Sequence, residues 1–267
     1  MLPVYNAITF DSIIQKGTRT KPWVVIVNAN GEIKPYVVKF FQWEEVEGRD
    51  SVANEILGNI LAKDFGLTVP KCALIKMDEA FGMTINNPEA ASTYDLGDDR
   101  IKFGTELLNG VNLMDTRALT SPQARKIIDI GTLFGYDNLI RNKDRKMDIR
   151  PNVLVKNRIA YLIEHEMAFD IKADTKNELN PHLWDRHVYQ SHLVLHYLKN
   201  STLQAKNHYF DEFSEYLKFL NVNQLQPYFK QLVNQGYSNK KHPLIVDYLK
   251  YIKQNYRNFE NLLKGFI

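Results

Sequence analysis

YDNLIRNKDRKMDIRPNVLV, Tyr136 to Val155, leaves an apolar helical pattern and at once sets Asn142, Asp144, Arg145 and Asn152 within a few residues of one another. A plain surface loop has this composition. So does a phosphate-transfer site, which needs a positioned carboxylate and oxygen ligands for a metal. The flanking elements have to discriminate between the two.

Upstream, Ser121-Pro122 predicts a helix start, with Ser as N-cap and Pro at the first helical position. Ile127, Ile128, Leu133, Phe134, Leu139 and Ile140 carry its buried face towards Arg141. Downstream, Asn152 to Val155 and Arg158 to Ile163 read as two short strands around Lys156-Asn157. From about Pro181 the chain reads as helical, with patterns such as Phe213, Tyr216, Leu217, Leu220 and Ile245, Tyr248, Leu249, Ile252.

The front of the chain reads as β. Ala7 to Ile14, Trp23 to Val27 and Pro35 to Phe41 are strands, with Asn30-Gly31 as the hairpin turn between the last two. A helix follows, capped by Asp50 or Ser51, with Val52, Ile56 and Ile60 on one face and Gly66 as its stop. Leu67 to Met77 reads as another strand, and 78 to 119 as mixed. The predicted class is α+β: a strand-rich front with one helix (1–82) and a larger helical part (83–267).

Bulk composition narrows the classes. Hydrophobic residues make up 44% and charged residues 24% of the 267, which is globular and not disordered. Thirty-four basic against 31 acidic residues is too balanced to indicate nucleic acid. Cys72 is the only cysteine, so neither an internal disulfide nor a Cys-rich zinc site can form. The opening MLPVYNAITF lacks the basic and long apolar regions of a secretion signal, and no stretch reaches the length of a membrane span. The expectation is a soluble cytoplasmic protein with no membrane partner.

Candidate chemistry is spread along the chain. Lys39 lies in the apolar run Tyr36 to Phe41 and reads two ways: an edge-strand lysine facing water, or a phosphate-gripping lysine paired with Glu55 on the next helix. Glu164 closes the strand Ile159 to Ile163, as an ordinary strand-end acid or as a metal ligand. Asp144, Asn152 and Glu164 together would supply a base and two oxygen ligands suited to magnesium. Gly17 is a weak phosphate-loop signal. His165-Glu166-Met167-Ala168-Phe169 starts like a zinc-protease helix, but Phe169 stands where the second His belongs. His192 and His196, four apart with no acid pattern nearby, read as packing or surface residues.

These segments resemble the HipA-like kinases, in particular the short bacterial branch without the longer N-terminal extension. The likeness is carried by Gly17 to Pro22, Val37-Val38-Lys39-Phe40, Asn54-Glu55, Gly66 to Pro70 and Phe103-Gly104-Thr105. It continues in Asn142-Lys143-Asp144-Arg145, Pro151 to Leu154 and Leu162 to Phe169. The resemblance implies a bilobal protein-kinase-like fold and an ATP- and Mg2+-dependent phosphotransferase, a Ser/Thr protein kinase. Its catalytic set would be Asp144 as base with Lys39, Glu55 and Asn142. ATP would be bound by Gly17, Thr18 and Lys39, and the metal by Asn152 and Glu164. Relatives can phosphorylate themselves in the loop that here holds Thr18 and Thr20, and some bind an antitoxin-like partner. Three departures stand out: Glu164 replaces the usual Asp, the loop from Asp144 to Asn152 is long, and the Gly17 loop is poor in glycine. A pseudokinase that binds nucleotide without turnover, or a kinase acting on a small molecule, are the competing readings.

Overall fold

Asn30 and Gly31 adopt φ of 56° and 93°, the left-handed geometry that a two-residue hairpin turn demands, and the Asn28 side chain accepts from the Gly31 amide at 2.7 Å. They join β2 (Trp23–Ala29) to β3 (Glu32–Val38), and β1 (Val4–Ile13) pairs antiparallel with β2. The computed structural model describes residues 1–15, 21–147, 149–179 and 189–267. Further along, β4 (Cys72–Lys76) pairs with β5 (Lys102–Glu106), and β5 with β3.

The sequence predicts an antiparallel sheet; the structure closes it into a five-stranded barrel, because Val4–Asn6 of β1 run parallel to Leu74–Lys76 of β4. β1 serves two neighbours because it is ten residues long and shifts register between Ala7 and Thr9 and between Phe10 and Ser12. Such irregularities increase local twist and let a strand bend round a barrel. Phe10, Trp23, Val25, Val27, Tyr36, Val38, Phe40 and Ile75 fill the interior, each fully buried side chain of this size contributing about 1.5–3 kcal/mol.

The chain divides into two compact units. The first comprises Met1–Ile56, Pro70–Asn109 and Gln226–Ser238, and the second Leu57–Val69, Gly110–Leu225 and Asn239–Ile267. Beside the barrel the sequence predicts one helix, now α2 (Ser51–Asp64). The structure adds α1 (Trp43–Arg49), α3 (Glu79–Gly82) and α4 (Pro88–Leu96). α1 escapes a pattern search because Val46 is its one buried residue; reciprocal capping by Gln42 and Glu45 starts it. Residues 226–238 belong to the first unit through Gln231, which exchanges two 2.8 Å hydrogen bonds with the Leu2 backbone. Arg100 does the same through its guanidinium, which lies 4.9 Å from the Trp43 ring and 4.7 Å from the Tyr237 ring.

The second unit holds a three-stranded sheet of β6 (Asn112–Leu113), β7 (Val153–Lys156) and β8 (Ile159–Leu162). The predicted helix from Ser121 to Arg141 is two helices, α5 (Ser121–Arg125) and α6 (Ile130–Leu139). Thr120 rather than Ser121 caps the first, in a reciprocal box with Gln123, and Asp129 caps the second by accepting from the Thr132 amide. α7 (Leu195–Lys199), α8 (Leu203–His208) and α9 (Asp211–Phe219) follow. The helix Gln226–Asn234 of the first unit is α10, and α11 (His242–Gln254) and α12 (Tyr256–Lys264) complete the order. Every residue of α6 is buried, so α6 has no solvent face and must be approached closely from all sides. Gly131 and Gly135 permit that approach: a Cβ on Gly131 would lie 1.8 Å from the Tyr209 carbonyl oxygen, and one on Gly135 would lie 2.6 Å from the Phe213 ring. Among the described residues no helix is long and apolar enough to cross a membrane.

Candidate active site

Within the first unit, β3 ends at Val38, so Lys39 stands one residue past the strand and not inside it. α2 carries Glu55 on its second turn. The two side chains meet, Lys39 Nζ 3.6 Å from Glu55 Oε1, with 15% and 5% exposure. A lysine this enclosed needs a carboxylate to offset its lost hydration. Gly17 and Thr18, the sequence-predicted phosphate loop, and Thr20 with them, lie outside the described residues.

Within the second unit, α6 runs into the predicted catalytic loop. The chain leaves the helix at Arg141 with φ 55°. Asn142 then bolts the loop to the helix: its amide nitrogen donates to the Asp137 carbonyl at 2.8 Å and its Nδ2 to Asp137 Oδ1 at 3.1 Å. Its Oδ1 accepts from the Asp144 amide at 3.2 Å. Asn142 thus turns its side chain inward and positions Asp144. The Asp144 carbonyl in turn accepts from Asn152 Nδ2 at 3.1 Å. Arg150 Nη1 reaches both oxygens of the Asp144 carboxylate, at 3.0 and 3.1 Å.

Behind this loop lies a buried ionic centre that the sequence analysis did not assign. Arg145 donates through Nε to Asp137 Oδ2 at 2.7 Å, both side chains fully buried. Its Nη1 reaches the Asn152 carbonyl and, at 3.4 Å, the Ile163 carbonyl, and its Nη2 lies 3.4 Å from His165 Nε2. Asp137 also receives His192 Nε2 at 3.0 Å. His192 is therefore neither a surface residue nor simple packing; its acid partner is 55 residues away in sequence. The Val194 amide donates to its Nδ1 at 3.3 Å, which leaves the ring proton on Nε2 facing Asp137. Burial pushes the Asp137 carboxyl up, but Arg145 and then His192 outweigh it and hold it below the usual carboxylate range.

The two predicted metal ligands flank the open end of the β7–β8 ladder, Asn152 just before β7 and Glu164 two residues after β8. Val153 pairs with Leu162, and the Ile163 amide donates to the Asn152 carbonyl at 3.1 Å. Asn152 and Glu164 both have positive φ, 49° and 61°, as do Arg141 and Phe169. Non-glycine residues held there cost about 1–3 kcal/mol each and concentrate where side chains must be aimed. Asn152 Nδ2 is committed to Asp144, so Oδ1 is the atom it can offer a cation. Among the described residues no group of three or more His, Cys, Asp or Glu could hold a metal. One amide oxygen and one carboxylate suit magnesium, which keeps several waters and takes its remaining oxygens from phosphates.

Asp137, Arg145, His165 and His192 are the residues that sequence reasoning left without a role. One signal was available: an acid at position 137 inside an all-apolar helix must be paired. The partner His192 carried none.

Residues 12–221 match the sequence profile described as HipA-like kinase. A search of curated proteins returns no match. The crystal structure of a Helicobacter pylori proinflammatory kinase, CtkA, aligns over 97% of this chain and 96% of that chain, at 10% identity and a TM-score of 0.48.

Proposed function

The chain belongs to the HipA-like kinase family, and from that premise we propose that it transfers the terminal phosphate of ATP to a serine or threonine hydroxyl of a protein. In this reading residues 1–82 grip the nucleotide phosphates, and residues 83–267 carry the catalytic loop and the metal-binding hairpin.

The observation that supports the reading best is the bracket built by Arg145. One buried guanidinium touches Asp137 on the helix before the loop, the Asn152 carbonyl and the Ile163 carbonyl beside Glu164. In this reading the guanidinium steadies the helix before Asp144 and the backbone at Asn152 and next to Glu164, and rigid positioning is most of what phosphoryl transfer asks of a protein. The acceptor oxygen forms a bond to the γ-phosphorus as the bond from that phosphorus to the bridging oxygen breaks. ADP leaves with the bridging oxygen, and the hydroxyl proton passes to the Asp144 carboxylate. Lys39, steadied by Glu55, holds phosphate oxygens. Magnesium, held by Asn152 Oδ1 and the Glu164 carboxylate, supplies charge neutralisation when bound.

A second reading, a regulatory module that binds nucleotide without turning it over, is favoured by the ion pair that covers Asp144. Transfer of γ-labelled phosphate from Mg-ATP to proteins of a lysate, followed by phosphoamino-acid analysis, separates the two. Phosphoserine or phosphothreonine supports the kinase. Mg-ATP binding without any transfer favours the regulatory module.

A further inference from the structure

Thr132 is 1% exposed, lines a cavity, and carries a hydroxyl with no hydrogen-bond partner among the described residues. The cavity measures about 190 Å³ and lies wholly within the second unit, bounded by the turn after α2, the start of α6, the β7–β8 turn and α9. We propose that it is a binding site for a free apolar α-amino acid, with the ammonium at Thr132, Asp129 and Glu212 and the carboxylate at Arg158. None of these residues belongs to the proposed catalytic set, so the site stands or falls separately from the kinase reading.

The local sequence sets the acidic end. Gly66 turns the chain out of α2 with φ 66°, and a Cβ there would lie 2.6 Å from the Tyr216 hydroxyl. Glycine thus lets this turn press against α9. The same hydroxyl donates to Glu212 Oε1 at 2.9 Å, which fixes the carboxylate and leaves Oε2 to a ligand. Asp129 caps α6 by accepting from the Thr132 amide through Oδ1, and likewise keeps Oδ2. The Tyr216 hydroxyl feels both acids. It is held above its usual range first by the hydrogen bond to Glu212, then by burial and by the charges of Glu212 and Asp129. Asp129, Glu212 and Thr132 therefore belong to one end of the cavity.

Charge, shape and size select the ligand. Among the described residues neither acid is paired with a cation and Arg158 is paired with no acid, although all three line this cavity. Opposite charges that share a cavity without meeting suit a ligand that carries both. An ammonium has three donors, for which Thr132 Oγ1, Asp129 Oδ2 and Glu212 Oε2 are the acceptors. A carboxylate matches the guanidinium fork of Arg158 in two-point contact. Buried Phe65, Leu67 and Ile128 supply an apolar wall for the side chain, and Phe65 is steadied by stacking on Phe213 at 5.3 Å. Pockets for drug-sized ligands run to about 300–1,000 Å³, so this cavity admits a single amino acid and not a nucleotide.

The test is calorimetry on the full chain with L-leucine, isopentylamine, which lacks the carboxylate, and isovalerate, which lacks the ammonium. Leucine should bind with a Kd of about 1 mM, weak because its charged contacts lie at an exposed rim, and both truncated ligands should bind at least about fivefold more weakly. Arg158→Gln should weaken leucine about fivefold and leave isopentylamine unchanged. Thr132→Val keeps the shape and removes the unpaired hydroxyl. It should raise the melting temperature and yet weaken leucine about threefold, a combination that a hydroxyl with a structural partner would not give. No leucine binding up to about 20 mM overturns the site. Isopentylamine binding as tightly as leucine, or losing as much as leucine in Arg158→Gln, overturns the assignment to an amino acid. A Thr132→Val protein that melts lower and binds leucine unchanged overturns the role of Thr132. Mg-ATP binding and phosphate transfer are read separately, and their failure leaves these outcomes untouched.

Discussion

Arg145 and Asp137 meet at 2.7 Å with no solvent exposure on either side chain. Neither charge has water to fall back on, so each depends on the other and on the ring of partners around them. Asp137→Asn leaves the guanidinium buried without its counter-ion, which costs about 3–5 kcal/mol. The pH dependence follows from the depressed Asp137 pKa. Its stabilisation is fully present above the unfolded value, about 3.9, and is lost as pH falls through the lower folded value. Urea unfolding at stepped pH should show a gap between the parent and Asp137→Asn that is constant near neutrality and narrows only in acid. A gap independent of pH would show that Asp137 is not held ionised.

Much of this architecture was written in local pattern. Asn30-Gly31 between two apolar runs, and Lys156-Asn157 between two short ones, place β2, β3, β7 and β8 to within a few residues. Lys39 and Glu55 could be paired because each sat beside an apolar run. What was illegible is long-range. Nothing near β1 says that it also pairs in parallel with β4, since the partner lies about 70 residues on. His192 looks like a surface residue until the fold sets it against Asp137. The break at Asp129 shows how a good N-cap inside a continuous apolar pattern can be overlooked: the apolar residues predict burial on either side, and the cap alone marks two helices.

Close packing around α6 gives a second prediction. Gly131→Ala would drive a methyl into the Tyr209 carbonyl oxygen at 1.8 Å, a backbone atom that cannot rotate away. Gly135→Ala meets the Phe213 ring at 2.6 Å, a side chain with some freedom to turn. Overpacking costs about 1–3 kcal/mol and occasionally more. The melting temperature should fall for both and further for Gly131→Ala; the opposite order would mean that the Tyr209 backbone yields more readily than the Phe213 ring.

Lys102 yields a second prediction in pH, with its window in alkali. It is buried in the first unit, donates to the Asp98 and Arg100 carbonyls, and lies 3.7 Å from Asp98 Oδ1. Burial pulls its pKa down to about 8, with Asp98 opposing. The folded state therefore sheds this proton before the unfolded chain does, and stability rises with pH from about 8 to about 10.4. The rise is on the order of 3 kcal/mol at most. Lys102→Met should abolish that component, read as the difference between the two denaturation series. Parallel curves across the window would show the amine to be better solvated than its burial implies.

The Lys39–Glu55 pair is expected to act on phosphate binding before chemistry. Lys39→Met removes the grip and leaves Glu55 nearly buried, so it should raise the KM for ATP at least tenfold and also lower the melting temperature. Glu55→Gln keeps the shape and removes the charge that steadies Lys39. It should weaken ATP less than Lys39→Met does. Unchanged kinetics in both variants would mean that neither residue acts on the nucleotide.

Asp144 and Glu164 are the residues on which the proposed chemistry can be tested. Asp144→Asn is nearly isosteric, and its backbone anchors to Asn142 and Asn152 do not use the carboxylate, so the fold should persist. Mg-ATP should still bind, while phosphoryl transfer falls by about 10²–10⁴, the usual cost of losing a general base. Glu164→Gln should act in the other order, weakening magnesium-dependent ATP binding first, because it removes a charged oxygen ligand. Glu164→Asp is the informative change. Glu164 holds φ 61°, a region in which aspartate is more at home than glutamate, and the shorter side chain restores the residue usual in HipA-like kinases. Activity should be kept or raised. Calorimetric ATP affinity beside labelled phosphate transfer, for all three variants, distinguishes the roles. A fully active Asp144→Asn protein would remove it as the base, and Glu164→Asp losing ATP binding would mean that the longer glutamate is fitted to this metal position and is not a weakened version of the common one.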